Sequence, residues 1–294
     1  MRDMKSEDRK KDENEGKKVN QHVVNARATA LFAGATALTV GLLIFIIAYI
    51  LSRGFHMITP AFLFETPRQM GRAGGIYPAI IGTILVTGIA VIIAAPVGVA
   101  TAIYLTEYTR ESWLPRIVRF GTENLAGIPS IIFGLFGFLF FVIYLDLGWS
   151  ILSGALTLSA MILPTIVRTS EEAIKAVPNA YREISYALGS TRWQTVTGVI
   201  LPTALPGIVT GVVLAIGRSI GETAAVIFTA GASLRLPESL LDPVRTLPVH
   251  FYILAREGIS MDNAYGTAAV LILLILAINI AAYSIMNRFV ARSR

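Results

Sequence analysis

The length and spacing of its apolar runs constrain this chain more than anything else. Six stretches, at about 29–51, 76–105, 125–145, 150–167, 204–230 and 264–286, carry almost no charge, and polar connections separate them. A hydrocarbon core about 30 Å thick takes about 20 helical residues to cross. A helix satisfies its backbone polar groups within the segment, as lipid demands. The fold class is therefore all-α, a polytopic membrane protein with six transmembrane helices. Composition agrees, with 54% hydrophobic and only 15% charged residues, far from the balance of a soluble domain. The first run is too long for the apolar part of a signal peptide and follows a long polar lead, so it reads as an uncleaved span. Pro96 supplies a cause for a kink in the second. Residues 1–28 hold eight Lys/Arg and six Asp/Glu and read as a solvated, disordered cytoplasmic tail. That leaves 29–290 as the membrane domain, with a polar loop at 171–202.

Six spans put both termini on one side. That side carries 18 Lys/Arg and the other 6, with Arg218 alone inside a span. Basic residues collect in cytoplasmic loops, so both termini and the 171–202 loop are expected in the cytoplasm. The same asymmetry accounts for the net charge of +6 without a nucleic-acid partner. The chain has no cysteine, so disulfides and thiolate metal sites are excluded. His22, His56 and His250 lie far apart, without metal-ligand spacing. No G-x-x-x-x-G-K-[ST] phosphate loop occurs. Energy for any uphill transport must then come from a partner or an ion gradient. No catalytic residue, metal or cofactor is assigned to the chain.

The 171–202 loop has its own helix punctuation. Pro178 stops what precedes it, and Asn179 is a good N-cap for a short helix through Leu188. Gly189 suits the left-handed position that ends such a helix. Thr191 with Gln194 forms a capping-box pattern for a second one. Two short helices hinged at a glycine make a stiff surface feature.

The fifth run is the one with charges in it. Arg218 and Glu222 are four residues apart, which on a continuous helix places them on one face. Charge in the hydrocarbon core is costly, about 2.5–3.5 kcal/mol on insertion scales. One reading is a structural ion pair. The other is a polar path on which the Arg218 guanidinium, a planar fork of donors, meets an oxyanion. Glu222 would orient it and Thr223 would add a hydroxyl. Gly207 with Gly211, and Gly217 with Gly221, have the spacing of close helix packing, or leave room beside the arginine. At the entrance of the third span, Gly127 and Pro129 leave backbone N–H groups free near Ser130, which favours anions.

The loop carries a longer pattern as well. Glu183 is followed by Gly189, and after nine more residues by Val199, Leu201 and Pro202. This spacing resembles the "EAA…G………I-LP" signature of permease subunits of bacterial ABC importers, with Ile184 and Ser185 in place of the alanines and Val199 in place of the isoleucine. The segments "GGIYPAIIGTILVTGIAVIIAAPVGVATAIYLTEY", "LAGIPSIIFGLFG", "GETAAVIFTAG" and "LPVHFYILAREG" look like the phosphate-importer permeases, and more like the PstA than the PstC type. The resemblance spans about 30–290. It implies a type I importer permease fold in a cytoplasmic (inner) membrane. It implies a PstC-type permease, two PstB-type ATPase subunits and an extracytoplasmic phosphate-binding protein as partners, ATP being used by those partners. It places Tyr181, Glu183, Ala187, Gly189, Leu201 and Pro202 in the ATPase-coupling loop, and Arg218, Glu222, Thr223 and Ser130 along the substrate path. Rival readings are a permease for another oxyanion such as sulfate or molybdate, an ion-coupled transporter with Glu222 as proton relay, and a membrane scaffold that moves nothing.

Overall fold

The computed structural model describes the backbone of residues 2–109 and 113–292, and the side chains of 25–109 and 113–284. Helix α1 runs Arg2–Gly54. It extends through the polar segment where composition suggested disorder; Lys, Glu and Arg are good helix formers, and the segment continues the helix of the first span. The apolar side chains of that span, Leu31 to Ile46 among them, are exposed.

From Arg53 onward the chain forms a second unit. After a short α2 (Pro60–Phe64), two-residue strands β1 (Pro67–Arg68) and β2 (Ala73–Gly74) pair antiparallel. Helix α3 (Tyr77–Ile103) ends in a π turn, Tyr104–Tyr108. Along one face of α3, Gly82, Val86, Ala90, Ala94, Gly98 and Ala102 recur every fourth residue and all are buried. This stripe of small side chains lets α6 (Ile151–Lys175) come close: a Cβ on Gly98 would stand 2.7 Å from the Ile166 side chain. The Ser159 hydroxyl donates to the Ala90 carbonyl at 2.9 Å. Helix pairing in lipid depends on such close packing and interhelical hydrogen bonds. Val86, Leu158, Met161 and Ile162 fill the core between them.

The third run differs from its expected 125–145 span. Helix α4 (Trp113–Ala126) ends near Gly127. Then α5 (Ser130–Gly137), extended by a π turn over Phe138–Tyr144, sets off at 104° to it. Pro129, as N-cap of α5, has no N–H to continue α4, and the preceding residue is steered out of the helical region. The crossing is therefore the short 130–144 segment. Among the described residues five helices are long and apolar enough to span a membrane, and this bent pair makes up to six.

The fourth span is longer than expected: α6 runs to Lys175 and takes the first residues of the polar loop into the helix. Helices α7 (Asn179–Ala187) and α8 (Arg192–Thr195) follow. Helix α8 passes through a π turn, Val196–Ile200, into α9 (Leu201–Ile220). The fifth span thus begins near Arg192 and stops at Ile220, not Ala230. After a break at 221–223 come α10 (Ala224–Thr229), α11 (Leu247–Arg256) and α12 (Met261–Arg292).

In the connection between α10 and α12, Arg245 and His250 are buried together. Arg245 Nε donates to the Ala232 carbonyl at 3.0 Å, and His250 Nδ1 lies 3.4 Å from its Nη1. Burial first, and then the neighbouring guanidinium, hold the His250 imidazole down to about 4.

Candidate functional site

The helix break decides how the charged span is arranged. Gly221 caps α9 and Thr223 opens α10, so the four-residue spacing of Arg218 and Glu222 no longer means one helix face. Of the two readings, the structural ion pair does not form: no salt bridge joins Arg218 and Glu222. Glu222 turns the other way: its Oε1 accepts from the backbone N–H of Ala224 at 3.1 Å and of Ala225 at 3.4 Å. It serves the orphan N–H groups that every helix start presents.

Arg218 is left exposed in the last turn of α9, where a cation suits the helix dipole. It makes no hydrogen bond or ion pair among the described residues. It lies two residues from the end of the 192–220 span.

The glycines resolve into two pairs with different roles. A Cβ on Gly207 would stand 2.6 Å from the Ala173 Cβ, and one on Gly211 would collide with Thr169 Oγ1. These two are packing glycines against α6. Gly217 has nothing within 4 Å, and Gly221 meets only its own helix at 3.9 Å. Leu214, Gly217, Arg218 and Gly221 therefore form one face of α9 with open space beside it.

Ser130 is the first residue of α5. Gly134 packs on the backbone of Ala224–Ala225, and Gly137 on the Thr229 side chain, so α5 and α10 run parallel. The hydroxyls of Ser130 and Thr223 are half-buried and make no hydrogen bond among the described residues. Arg218 and Thr223 thus stand on either side of one break, with Glu222 holding its geometry, while Ser130 begins the helix that packs on α10 through Gly134 and Gly137.

The polar loop forms as its punctuation required, with one shift. Pro178, not Asn179, is the N-cap of α7, and Asn179 is its first residue; Pro178's fixed φ of −57° and extended ψ of 138° set the entry. At the other end Gly189 takes φ +82°. Ser190 N–H donates to the Ser185 carbonyl at 3.2 Å and Gly189 N–H to Tyr186 at 3.0 Å, the paired bonds of a Schellman motif. Thr191 and Gln194 make the full capping box. Tyr181, Glu183 and Ala187 are exposed, and Tyr181, Ile184 and Leu188, the last 81% exposed, form an apolar stripe at helical spacing. Trp193 extends it onto α8 at 64% exposure. Leu201 packs underneath with Val196, Ile200 and Ala204, and Pro202 is exposed at the start of α9.

Beneath α7 lies a cleft of about 370 Å³ whose lining includes Glu107, Arg119, Lys175 and Arg182. Glu171 Oε1 takes both Arg119 Nε and Lys175 Nζ at 2.7 Å. Arg182 and Glu107 pair at 2.7 Å. None of these ion pairs belongs to the candidate set read from sequence. The signal for them was a carboxylate placed directly after an apolar run, at the same end as the basic loops.

The exposed apolar stripe on α7 and the charged break after α9 belong to one continuous stretch of the chain. Residues 94–294 match the family described as binding-protein-dependent transport system inner membrane component, and the chain belongs to that family. It is 34% identical to the probable ABC transporter permease protein YqgI of Bacillus subtilis, over 90% of this chain and 95% of that one. It is also 34% identical to the phosphate transport system permease protein PstA 1 of Mycobacterium tuberculosis, over 94% and 92%. The same identity holds to PstA of Yersinia pestis over 82% of each. Among solved structures, a bacterial alginate ABC transporter with its substrate-loaded periplasmic protein superposes with a TM-score of 0.66 at 18% identity, covering 90% of this chain and 96% of that one. The MetNI methionine ABC transporter gives 0.58 at 21%, covering 73% and 94%. These likenesses give the fold: a type I ABC importer permease. The chain is a multi-pass membrane protein and a transport subunit, served by an ATPase and a substrate-binding protein.

Proposed function

We propose that this chain is the PstA-type permease subunit of an ATP-driven importer that moves inorganic phosphate across the cytoplasmic membrane. The observation that carries the substrate is the run of phosphate-permease relatives matched along nearly the whole chain. The free guanidinium of Arg218 supports it. Because Glu222 is engaged with α10, the counter-charge for Arg218 is left to the passing anion, and Thr223 and Ser130 offer hydroxyls beside it. The partners are a PstC-type permease, two PstB-type ATPase subunits and an extracytoplasmic phosphate-binding protein. Both termini lie in the cytoplasm, residues 1–28 form the cytoplasmic tail, and 29–290 form the permease domain with its coupling loop at 171–202.

In this mechanism the binding protein docks on the outer connections 53–75 and 232–263. ATP-driven closure of the ATPases moves α7 through Tyr181, Glu183, Ala187 and Gly189, with Leu201 and Pro202 anchoring the loop's end. The spans open outward, phosphate enters past Arg218, and hydrolysis resets the inward-facing state.

The test is initial-rate uptake of labelled phosphate by Arg218→Gln in an assembled complex, with excess sulfate present. Hydrogen bonds to charged groups contribute about 1.5–3 kcal/mol, so the rate should fall roughly 10- to 100-fold while copurification of the partners is unchanged. Wild-type flux would remove Arg218 from the path. Flux abolished by sulfate would transfer the chain to another oxyanion.

A further inference from the structure

One buried side chain joins the surface helix to the body beneath it. Arg182 lies within α7 but points inward, with 16% of its side chain exposed; Glu107, its partner, is 6% exposed. The guanidinium spans three elements. Nη2 and Nε donate to Glu107 Oε1 at 2.7 and 3.2 Å, in the π turn that ends α3. Nη2 also donates to the Ile174 carbonyl at 3.0 Å, and Nη1 to that of Val177 at 2.7 Å. Those carbonyls belong to the end of α6 and its exit, where a helix lacks internal donors. Asn179 Oδ1 accepts from Nη1 at 3.3 Å. A rigid fork of five donors suits this task, and the point charge of a lysine does not.

The two ends of α7 are unlike each other. At its start, Arg182 ties it to both α3 and α6, which pack as one unit along the small-residue stripe. At its end stands Gly189, at φ +82° with nothing within 4 Å of a built Cβ, and the side-chain hydrogen bond onward to α8 is Ser185 to Thr195 at 2.9 Å. Through Arg182 a push on α7 is therefore carried directly into α3 and α6.

We infer that Arg182 and Glu107 are a coupling pair: they convert displacement of α7 by the ATPase into movement of α3 and α6. This rests on the reading of the chain as an ATP-driven importer. Arg182 is a positioning residue that touches neither substrate nor nucleotide.

The experiment uses the full complex in vesicles, with Glu107→Gln and Arg182→Lys. The docking stripe is untouched in both, so the ATPase subunit should stay bound and ATP hydrolysis should remain within about twofold. Uptake should fall about tenfold, equivalent to about 1.4 kcal/mol, so ATP consumed per phosphate rises about tenfold. Glu107→Asp, which keeps the charge, should recover part of the ratio. An unchanged ratio in assembled Glu107→Gln, or loss of the ATPase subunit with no change in ratio for Glu107→Asp, overturns the inference. A wild-type complex that hydrolyses ATP without moving phosphate would refute the substrate assignment alone. The pair is then read from a spin label on Ile92→Cys, at an exposed position of α3 in a chain with no other cysteine. Its ATP-dependent spectral change should vanish in Glu107→Gln, and its persistence overturns the pair.

Discussion

Gly211→Ala and Gly217→Ala make a matched pair on one helix, six residues apart. Each replaces glycine in the interior of α9 and gains about 1 kcal/mol of helix propensity. Their surroundings differ. The new methyl at 211 would overlap Thr169 Oγ1 and stand 2.6 Å from the Thr169 Cβ. Thr169 cannot simply swing aside, because its hydroxyl donates to the Thr165 carbonyl at 2.8 Å. Helices α6 and α9 must part by roughly 1 Å to restore ordinary contact, opening gaps along the same seam at Gly207. Overpacking of this kind costs about 1–3 kcal/mol. At 217 there is nothing to meet. The propensity gain is common to both, so the difference between the variants isolates the overpacking. It should appear as a thermal midpoint several degrees lower for Gly211→Ala in the purified complex. Phosphate uptake should show the opposite order. Gly211→Ala should transport near the wild-type rate per folded complex, while Gly217→Ala, which narrows the space beside Arg218, should lose flux with no loss of stability. Equal midpoints would refute the division into packing and path glycines. Full uptake by Gly217→Ala would refute the path along this face.

Gly189→Val should cost about 1–2 kcal/mol, because a residue with a Cβ is strained at φ +82°. The empty surroundings spare the body of the protein, and the expected result is weaker retention of the ATPase subunit on copurification, with an unchanged melting profile for the spans. Acid should weaken the connection around α11. Folded His250 titrates at about 4 against 6.5 for the free side chain, so the unfolded chain takes up the proton first. Stability is whole above about 6.5 and falls as pH drops toward 4, by about 1.4 kcal/mol per unit. A midpoint-against-pH series in detergent should slope more steeply over that window for the wild type than for His250→Gln.

The parts legible in the sequence were those decided by nearest neighbours along the chain. Apolar length marked the spans, Pro178 and Gly189 marked the ends of α7, and Thr191 with Gln194 specified a cap that forms with both of its bonds. What stayed hidden depended on contacts between distant elements or on an interruption of the helix. The 221–223 break has a local trace in Gly221, yet GxxxG spacing reads equally as packing. Only the neighbours separate Gly207 and Gly211, pressed on Ala173 and Thr169, from Gly217 and Gly221 with open space beside them. That break reverses the role of Glu222. On an unbroken helix it would neutralise Arg218; at a helix start it is drawn to the free N–H groups of Ala224 and Ala225. Arg182 shows the same limit from the other side, since its partner Glu107 lies 75 residues earlier. On α7 the adjacent Arg182 and Glu183 read alike as surface charges, and only the fold shows that the guanidinium turns inward. Both cases put charge where the fold supplies an unusual counterpart: a helix end for Glu222, a buried carboxylate for Arg182. Arg218 has no such counterpart among the described residues, and the proposed function gives that part to the passing anion.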